Sequence, residues 1–236
     1  MDPTLVVGLD VAAPRACTAV ALRDGRPVAE ADWMETSHAA DMVAWIVSLA
    51  PAAVGIDAPQ GWNRRLLLPA SRSRVCDHEL LRRRVSLYQV PARADVDSGT
   101  TTLPPWMERG FGFFRSLTRP SRGFEKAQDG ALPGAFGQPP AVLEVYPYAA
   151  FATLLGGLPE RKTSRRGVHR RVACLRREGL RWEGYYDHDS LDALAAALTA
   201  LRFVQGRACA VGDAREGLIW LPVPRGGLRD AYASLS

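Results

Sequence analysis

Two short apolar runs, each ending in an aspartate, constrain this chain more than any other feature. Leu5-Val6-Val7-Gly8-Leu9 runs into Asp10, and Ala52-Ala53-Val54-Gly55-Ile56 runs into Asp57, with Pro59 stopping the second. Short apolar runs bounded by turn formers read as buried strands. Between them, residues 17–23 alternate up to Asp24-Gly25, a strong tight-turn signal, and 27–33 reads as a third strand. Ser37 is placed as the N-cap of a helical segment in which Met42, Trp45, Ile46 and Leu49 recur at i, i+3, i+4 and i+7. The expected order is strand, strand, strand, helix, strand. A helical crossover returns the chain in the same direction, so the first and fourth strands are expected as parallel neighbours. Asp10 and Asp57 then share the carboxyl end of the sheet.

The chain has 236 residues, 47% of them apolar, enough for a full-sized core. Its longest apolar stretch, 42–56, is broken by Ser48, Pro51 and Gly55 and falls short of the roughly 20 residues of a membrane helix, so no membrane span is expected. No Lys or Arg precedes the first apolar run, which argues against a secretory signal and for a cytoplasmic protein. Cys17, Cys76, Cys174 and Cys209 form no CxxC pair, so neither a disulfide framework nor a zinc site is expected. Periodicity weakens over about 60–140, which reads as a helical and loop insertion after the fourth strand, with basic helical pieces near 66–85. Regularity resumes with a strand at 141–146, a short helix at 148–155, and a helix at 165–177 with Val168, Val172 and Leu175 on one face and arginines on the others. An Ala/Leu-rich helix at 189–205 and a terminal hairpin over 208–221 follow. The expectation is one α/β domain over 1–236 with a mixed sheet, of chain order β-β-β-α-β-α-β-α.

The chemistry lies in the carboxylates set against this apolar background. Asp10 and Asp57 end strands, Glu144 lies inside a strand of valines and leucines, and Asp189 and Asp192 share a face at the start of the last helix. Buried carboxylates on converging elements repel one another, and a divalent cation is the natural compensation. Oxygen ligands favour Mg²⁺ or Mn²⁺ over zinc. Two such ions about 4 Å apart can align a water nucleophile and the leaving oxygen of a phosphodiester. Each residue also has a structural reading: Asp189 as a helix cap, Asp57 as a loop cap, Glu144 paired with an arginine.

Val7-Gly8-Leu9-Asp10, Val54-Gly55-Ile56-Asp57-Ala58-Pro59, Arg74-Val75-Cys76-Asp77, Glu144-Val145-Tyr146-Pro147-Tyr148 and His188-Asp189-Ser190-Leu191-Asp192-Ala193-Leu194 together resemble the family of predicted RNase H-like nucleases called domain of unknown function 429. The resemblance covers nearly the whole chain. It implies an RNase H-like fold and a metal site akin to that of Holliday-junction resolvases. The motif-matched positions are Asp10, Asp57, Glu144 and Asp192 as catalytic residues and metal ligands, with Asp189 as a further ligand.

Of 30 basic residues 28 are arginine, and they cluster. Residues 64–84 hold seven Arg, and 161–181 hold eight Arg and Lys162 against Glu178 alone; both stretches suit either phosphate binding or a solvated helix face. Arg165, Arg166, Arg170 and Arg171 are the candidate substrate contacts there. Arg74 and Asp77 fit substrate contact or an internal ion pair. His188, between Asp187 and Asp189, is a candidate general base or a structural helix-start residue. Cys76 beside Asp77 and His78 lacks the further ligands a metal site needs. Trp106, Phe111, Phe113 and Phe114 suit base stacking or a small core. No Walker loop or dinucleotide fingerprint is present. The reading is a metal-dependent phosphodiesterase acting on nucleic acid, with two rivals: a non-catalytic nucleic-acid or protein-binding module on the same fold, and an actin-like ATP-dependent phosphotransferase, for which a second phosphate-binding hairpin is missing.

Overall fold

A computed structural model describes residues 4–27, 33–68, 71, 73–128, 139–183 and 187–224. The first sixty residues form β1 (Leu5–Asp10), β2 (Cys17–Arg23), β3 (Trp33–Thr36), α1 (Ala39–Leu49) and β4 (Ala53–Asp57). The Asp24-Gly25 turn joining β2 to the next segment has both residues at positive φ, 50° and 82°, the twist that matches flanking strands. β3 departs from expectation: it starts at Trp33 and runs to Thr36, while 28–32 lie outside the described residues. Its register sets Trp33 beside Val20 and Thr36 beside Cys17, so the strand is placed by pairing with β2 and not by its own weak alternation. The cap also moves. His38 takes the N-cap position of α1 that the sequence assigned to Ser37, without a side-chain cap bond, and its backbone N–H donates to Thr36 Oγ1 at 3.0 Å.

After β4 come α2 (Val75–Arg82), α3 (Arg93–Asp97), α4 (Pro105–Leu117), a 3₁₀ turn and β5 (Glu125–Lys126), then β6 (Ala141–Val145), α5 (Pro147–Leu155), α6 (Arg165–Arg177), α7 (His188–Val204), β7 (Ala208–Asp213) and β8 (Gly217–Pro222). The sheet is mixed α/β, ordered β3-β2-β1-β4-β6-β8-β7. β1, β4, β6 and β8 run parallel, and β2, β3 and β7 are antiparallel to their neighbours. β5 and β8 share the outer edge of β6, β5 beside Ala141 and Val142, β8 beside Glu144 and Val145. The 60–140 segment is not peripheral. Phe113, Phe114 and Leu117 of α4 are buried in the same core as Val7 and Leu9 of β1 and Ile46 of α1. No helix among the described residues is long and apolar enough to cross a membrane. All four cysteines are free, three of them buried.

Because side chains alternate along a strand, each face of the sheet has its own partner. Val7, Leu9, Val54 and Ile56 face α1 and α4, while Val6, Leu143 and Val145 face α7. On the α7 face, Gly8 and Gly55 stand where side chains would otherwise be. A Cβ on Gly8 would lie 2.1 Å from the Ala193 carbonyl oxygen, and one on Gly55 would lie 2.4 Å from that of Ala196. The alanine face of α7 therefore rests on bare strand backbone.

That close approach yields a prediction. Gly8→Ala and Gly55→Ala should each cost about 2–3 kcal/mol in urea unfolding, the upper range for overpacking, because the obstructing atoms are helix backbone. Gly112→Ala, on α4 with nothing within 4 Å of the new Cβ, should instead gain about 0.5–1 kcal/mol from helix propensity. Equal effects at the three positions would contradict the close approach.

Candidate metal centre

β1 and β4 pair in parallel with Asp10 directly beside Asp57. Each aspartate follows its glycine by two residues, so both project from the α7 face. α7 begins at its N-cap Asp187, whose side chain accepts from the Ser190 backbone N–H at 2.8 Å. One residue beyond Asp192, Ala193 meets Gly8, so the close approach of helix and sheet also sets Asp192 over the strand ends. Carboxylate oxygens of Asp10, Asp57 and Asp192 lie within 4.8 Å of one another. Asp10 is 6% exposed and Asp192 4%. Three hard oxygen donors at this spacing are able to hold a metal ion.

Their protonation reflects the crowding. Burial, reinforced by Asp192 and Asp189, pushes the Asp10 carboxyl up to about 7 against the opposing pull of Lys162. Burial, then Asp10 and Asp192, raises Asp57 well above the usual carboxylate range. Burial also raises Asp192, offset by Lys162 and Arg171. Lys162 Nζ donates to Asp192 Oδ2 at 2.7 Å and stands 3.8 Å from Asp189 Oδ1. The group opens into a cleft of about 430 Å³ whose lining includes Lys162 and Arg171. Tyr88 and Trp106 meet edge to face at its rim, centroids 5.9 Å apart, near Tyr146 and Tyr148.

Glu144 does not join the three aspartates. In the β4–β6 register it is level with Ile56 and one residue short of Asp57, so its side chain emerges on the opposite face. There it accepts from Arg74 Nη1 and Nη2 at 2.9 and 2.6 Å and from the Gln60 backbone N–H at 2.9 Å. Arg74 also donates to both oxygens of Asp77 and is 1% exposed. Of the two roles open to Arg74, the structure shows the internal ion pair. A guanidinium this deep is tolerated because every nitrogen faces a carboxylate.

Of the remaining predicted residues, Asp189 and Arg171 line the cleft, and Arg165, Arg166, Arg170 and His188 are not among its lining residues. Asp189 accepts from Arg15 Nη1 at 3.0 Å, and its Oδ1 is 2.6 Å from His188 Nδ1. Arg166 and Arg170 are exposed and both pair with Glu160, at 3.1 and 2.7 Å, and Arg165 is exposed beside them. Arg171 is the exception to an arginine-coated α6. It is 2% exposed, lies 4.9 Å over the Phe151 ring and donates from Nη1 to the Glu160 carbonyl at 2.9 Å. Of the aromatic set, Phe113 and Phe114 are core, while Trp106 reaches the cleft. Tyr88 is a cleft residue that sequence reasoning passed over, and Lys162, Tyr146 and Tyr148 stood in its basic stretch and motif without an individual site role. Lys162 had one signal: it is one of two lysines among 30 basic residues, a compact ammonium where the chain otherwise uses guanidinium.

A family model described as "Protein of unknown function (DUF429)" matches residues 8–216. No curated protein and no solved structure matches the chain.

A pH dependence follows from the aspartates. A carboxyl whose folded pKa is raised takes up protons on folding, so its contribution favours the fold at low pH and is lost as pH climbs from the unfolded value, 3.8, toward about 7. Metal-free protein should lose stability over that window by on the order of 4 kcal/mol, and Asp10→Asn should flatten the loss, read by chemical unfolding at a series of pH values in EDTA. Parallel profiles for wild type and variant would show that Asp10 carries no such strain.

Proposed function

Because this chain belongs to the family of proteins of unknown function DUF429, whose description states no activity, we propose from the site itself that it is a metal-dependent phosphodiesterase acting on nucleic acid, built on an RNase H-like fold. The observation that carries this reading is the convergence of Asp10, Asp57 and Asp192 within 4.8 Å at the ends of adjacent parallel strands. Support for the fold comes from the strand order β3-β2-β1-β4-β6, with three antiparallel strands leading into parallel β4 and β6.

The donor set fits Mg²⁺ or Mn²⁺: all hard oxygens, mutually repelling, and already drawing a cationic ammonium to Asp192. Asp10, Asp57 and Asp192 would hold it, with Asp189 alongside. When bound, one or two such ions supply Lewis-acid polarisation of the phosphoryl group and a water of lowered pKa. The chain's own residues do the rest. Lys162 and Arg171 place positive charge on the side of the cleft where a phosphodiester oxygen would rest. Exposed Arg165, Arg166 and Arg170 extend that charge along the first turns of α6, where a nucleic-acid backbone is held by charge alone. Tyr88 and Trp106 offer ring faces to unpaired bases. With Nδ1 of His188 donating to Asp189, Nε2 is the atom left to take a proton from water.

One observation favours a second reading. The Lys162–Asp192 pair at 2.7 Å neutralises part of the cluster without a metal, as in a binding module that keeps the fold and has no turnover.

Mn²⁺ titration separates the two. On the nuclease reading it should raise the melting temperature of wild type, and Asp10→Asn and Asp192→Asn should abolish that rise while lowering Mn²⁺-dependent cleavage of a panel of single-stranded, duplex and branched DNA and RNA by at least about 100-fold. Indifference to Mn²⁺ in both assays would favour the binding module. Charge reversal at Arg165, Arg166 and Arg170 should flatten the salt dependence of nucleic-acid binding by roughly one unit of slope for each phosphate no longer neutralised. An unchanged slope would remove α6 from the interface.

A further inference from the structure

Past Asp57 the chain continues through Ala58 and Pro59 into a second cleft, of about 380 Å³, bounded by the 60–64 segment, α4, β5 and the β7–β8 turn. One wall is aromatic. Trp62 packs on Phe111 with centroids 5.1 Å apart, and Phe111 is 4% exposed, so Trp62 is backed by a ring locked into α4. The other lining is cationic: Arg64, Arg115, Lys126 and Arg215. Arg215 is committed to Asp213 at 2.9 Å, but among the described residues Arg64, Arg115 and Lys126 form no ion pair. The one carboxylate in the lining, Glu216, is already engaged by backbone N–H groups of Leu66, Leu67 and Val75 at 2.6, 3.3 and 3.2 Å. Those bonds fix the cleft wall, and Glu216 forms no ion pair with Arg64, Arg115 or Lys126 among the described residues.

Three cations without an ion pair among the described residues, outnumbering the one carboxylate of the lining and set beside an aromatic wall, match the two halves of a nucleotide. We infer that this cleft binds one nucleotide unit, its base against the Trp62–Phe111 wall and its phosphate among Arg64, Arg115 and Lys126. An acidic peptide would satisfy the cations but leave the aromatic wall unused. The volume lies within the range of small-ligand sites, roughly 300–1,000 Å³. The inference deepens the hydrolytic reading and rests on it for the identity of the ligand as part of a strand: three residues of chain span at most about 10 Å, so Gln60 lies close enough to Asp57 for one single strand to occupy both clefts.

The test is fluorescence anisotropy of a labelled oligothymidylate at low salt in EDTA, where cleavage is silent, with thymidine monophosphate as competitor. Arg64→Glu and Arg115→Glu, at exposed positions, should each weaken binding by at least about tenfold with unchanged thermal melts, and Trp62→Ala should do the same. Arg82→Glu, an exposed charge change on α2 away from the cleft, should stay within about twofold of wild type, which separates a site from bulk charge. If the monophosphate competes as well per nucleotide as the oligomer, the ligand is a free nucleotide; if it does not, the ligand is a strand. Wild-type binding that all three cleft variants leave intact, or no binding at all, overturns the inference. Cleavage with Mn²⁺ is scored separately: variant-sensitive binding without any cleavage keeps the cleft and removes the hydrolytic reading.

Discussion

The seating of α7 on β1 and β4 governs the rest of this molecule. Helices normally stand off a sheet by the depth of two layers of side chains. Here Gly8 and Gly55 remove the sheet's layer, and Ala193, Ala196 and Ala197 reduce the helix's to methyl groups. Large side chains fill the opposite face, where Met42, Ile46, Phe113 and Phe114 pack beneath the same two strands. The sheet is thus thin on one side and thick on the other. Asp10, Asp57 and Asp192 lie at the end of the thin side, and their convergence is a consequence of the missing side chains.

Holding three carboxylates in that position opposes folding, because burial and mutual repulsion both disfavour their charged forms. The surrounding core supplies the compensation, which is the usual relation between a functional cluster and the scaffold that carries it. A second charge cluster is handled in the reverse way. Arg74 sits between Asp77 and Glu144 with its nitrogens saturated, tying the start of α2 to β6 across 70 residues of sequence. Glu216 ties the same region to the β7–β8 turn through three backbone N–H groups. One cluster is satisfied internally and acts as a clamp. The other carries more carboxylates than the cations near it can balance, and faces a cleft.

Glu144 shows how a single residue of strand parity divides these roles. It shares a sheet level with Ile56, so its carboxylate meets Arg74, while Val145 takes the face on which Asp57 projects. Composition along 141–146 holds no information on this, since a lone acid among valines and leucines looks the same on either face. Arg171 makes the same point on a helix: an arginine among arginines reads as solvated, yet it is buried over Phe151 with Lys162 near the cleft mouth.

Local pattern by itself determined the β-β-β-α-β opening, the Asp24-Gly25 turn, the strand at 141–145, the alanine-rich last helix and the placing of Asp10 and Asp57 at matching strand ends, because each depends on periodicity or turn chemistry within a few residues. Pairing across distance decided the remainder. β3 takes its bounds from register with β2, α4 joins the main core although its sequence reads as an insertion, and Lys162 reaches Asp192 from a loop 30 residues away. Which carboxylates meet depends on strand register and on how closely one helix can approach two strands. Those are properties of packed backbones, and they exist only once the chain has folded.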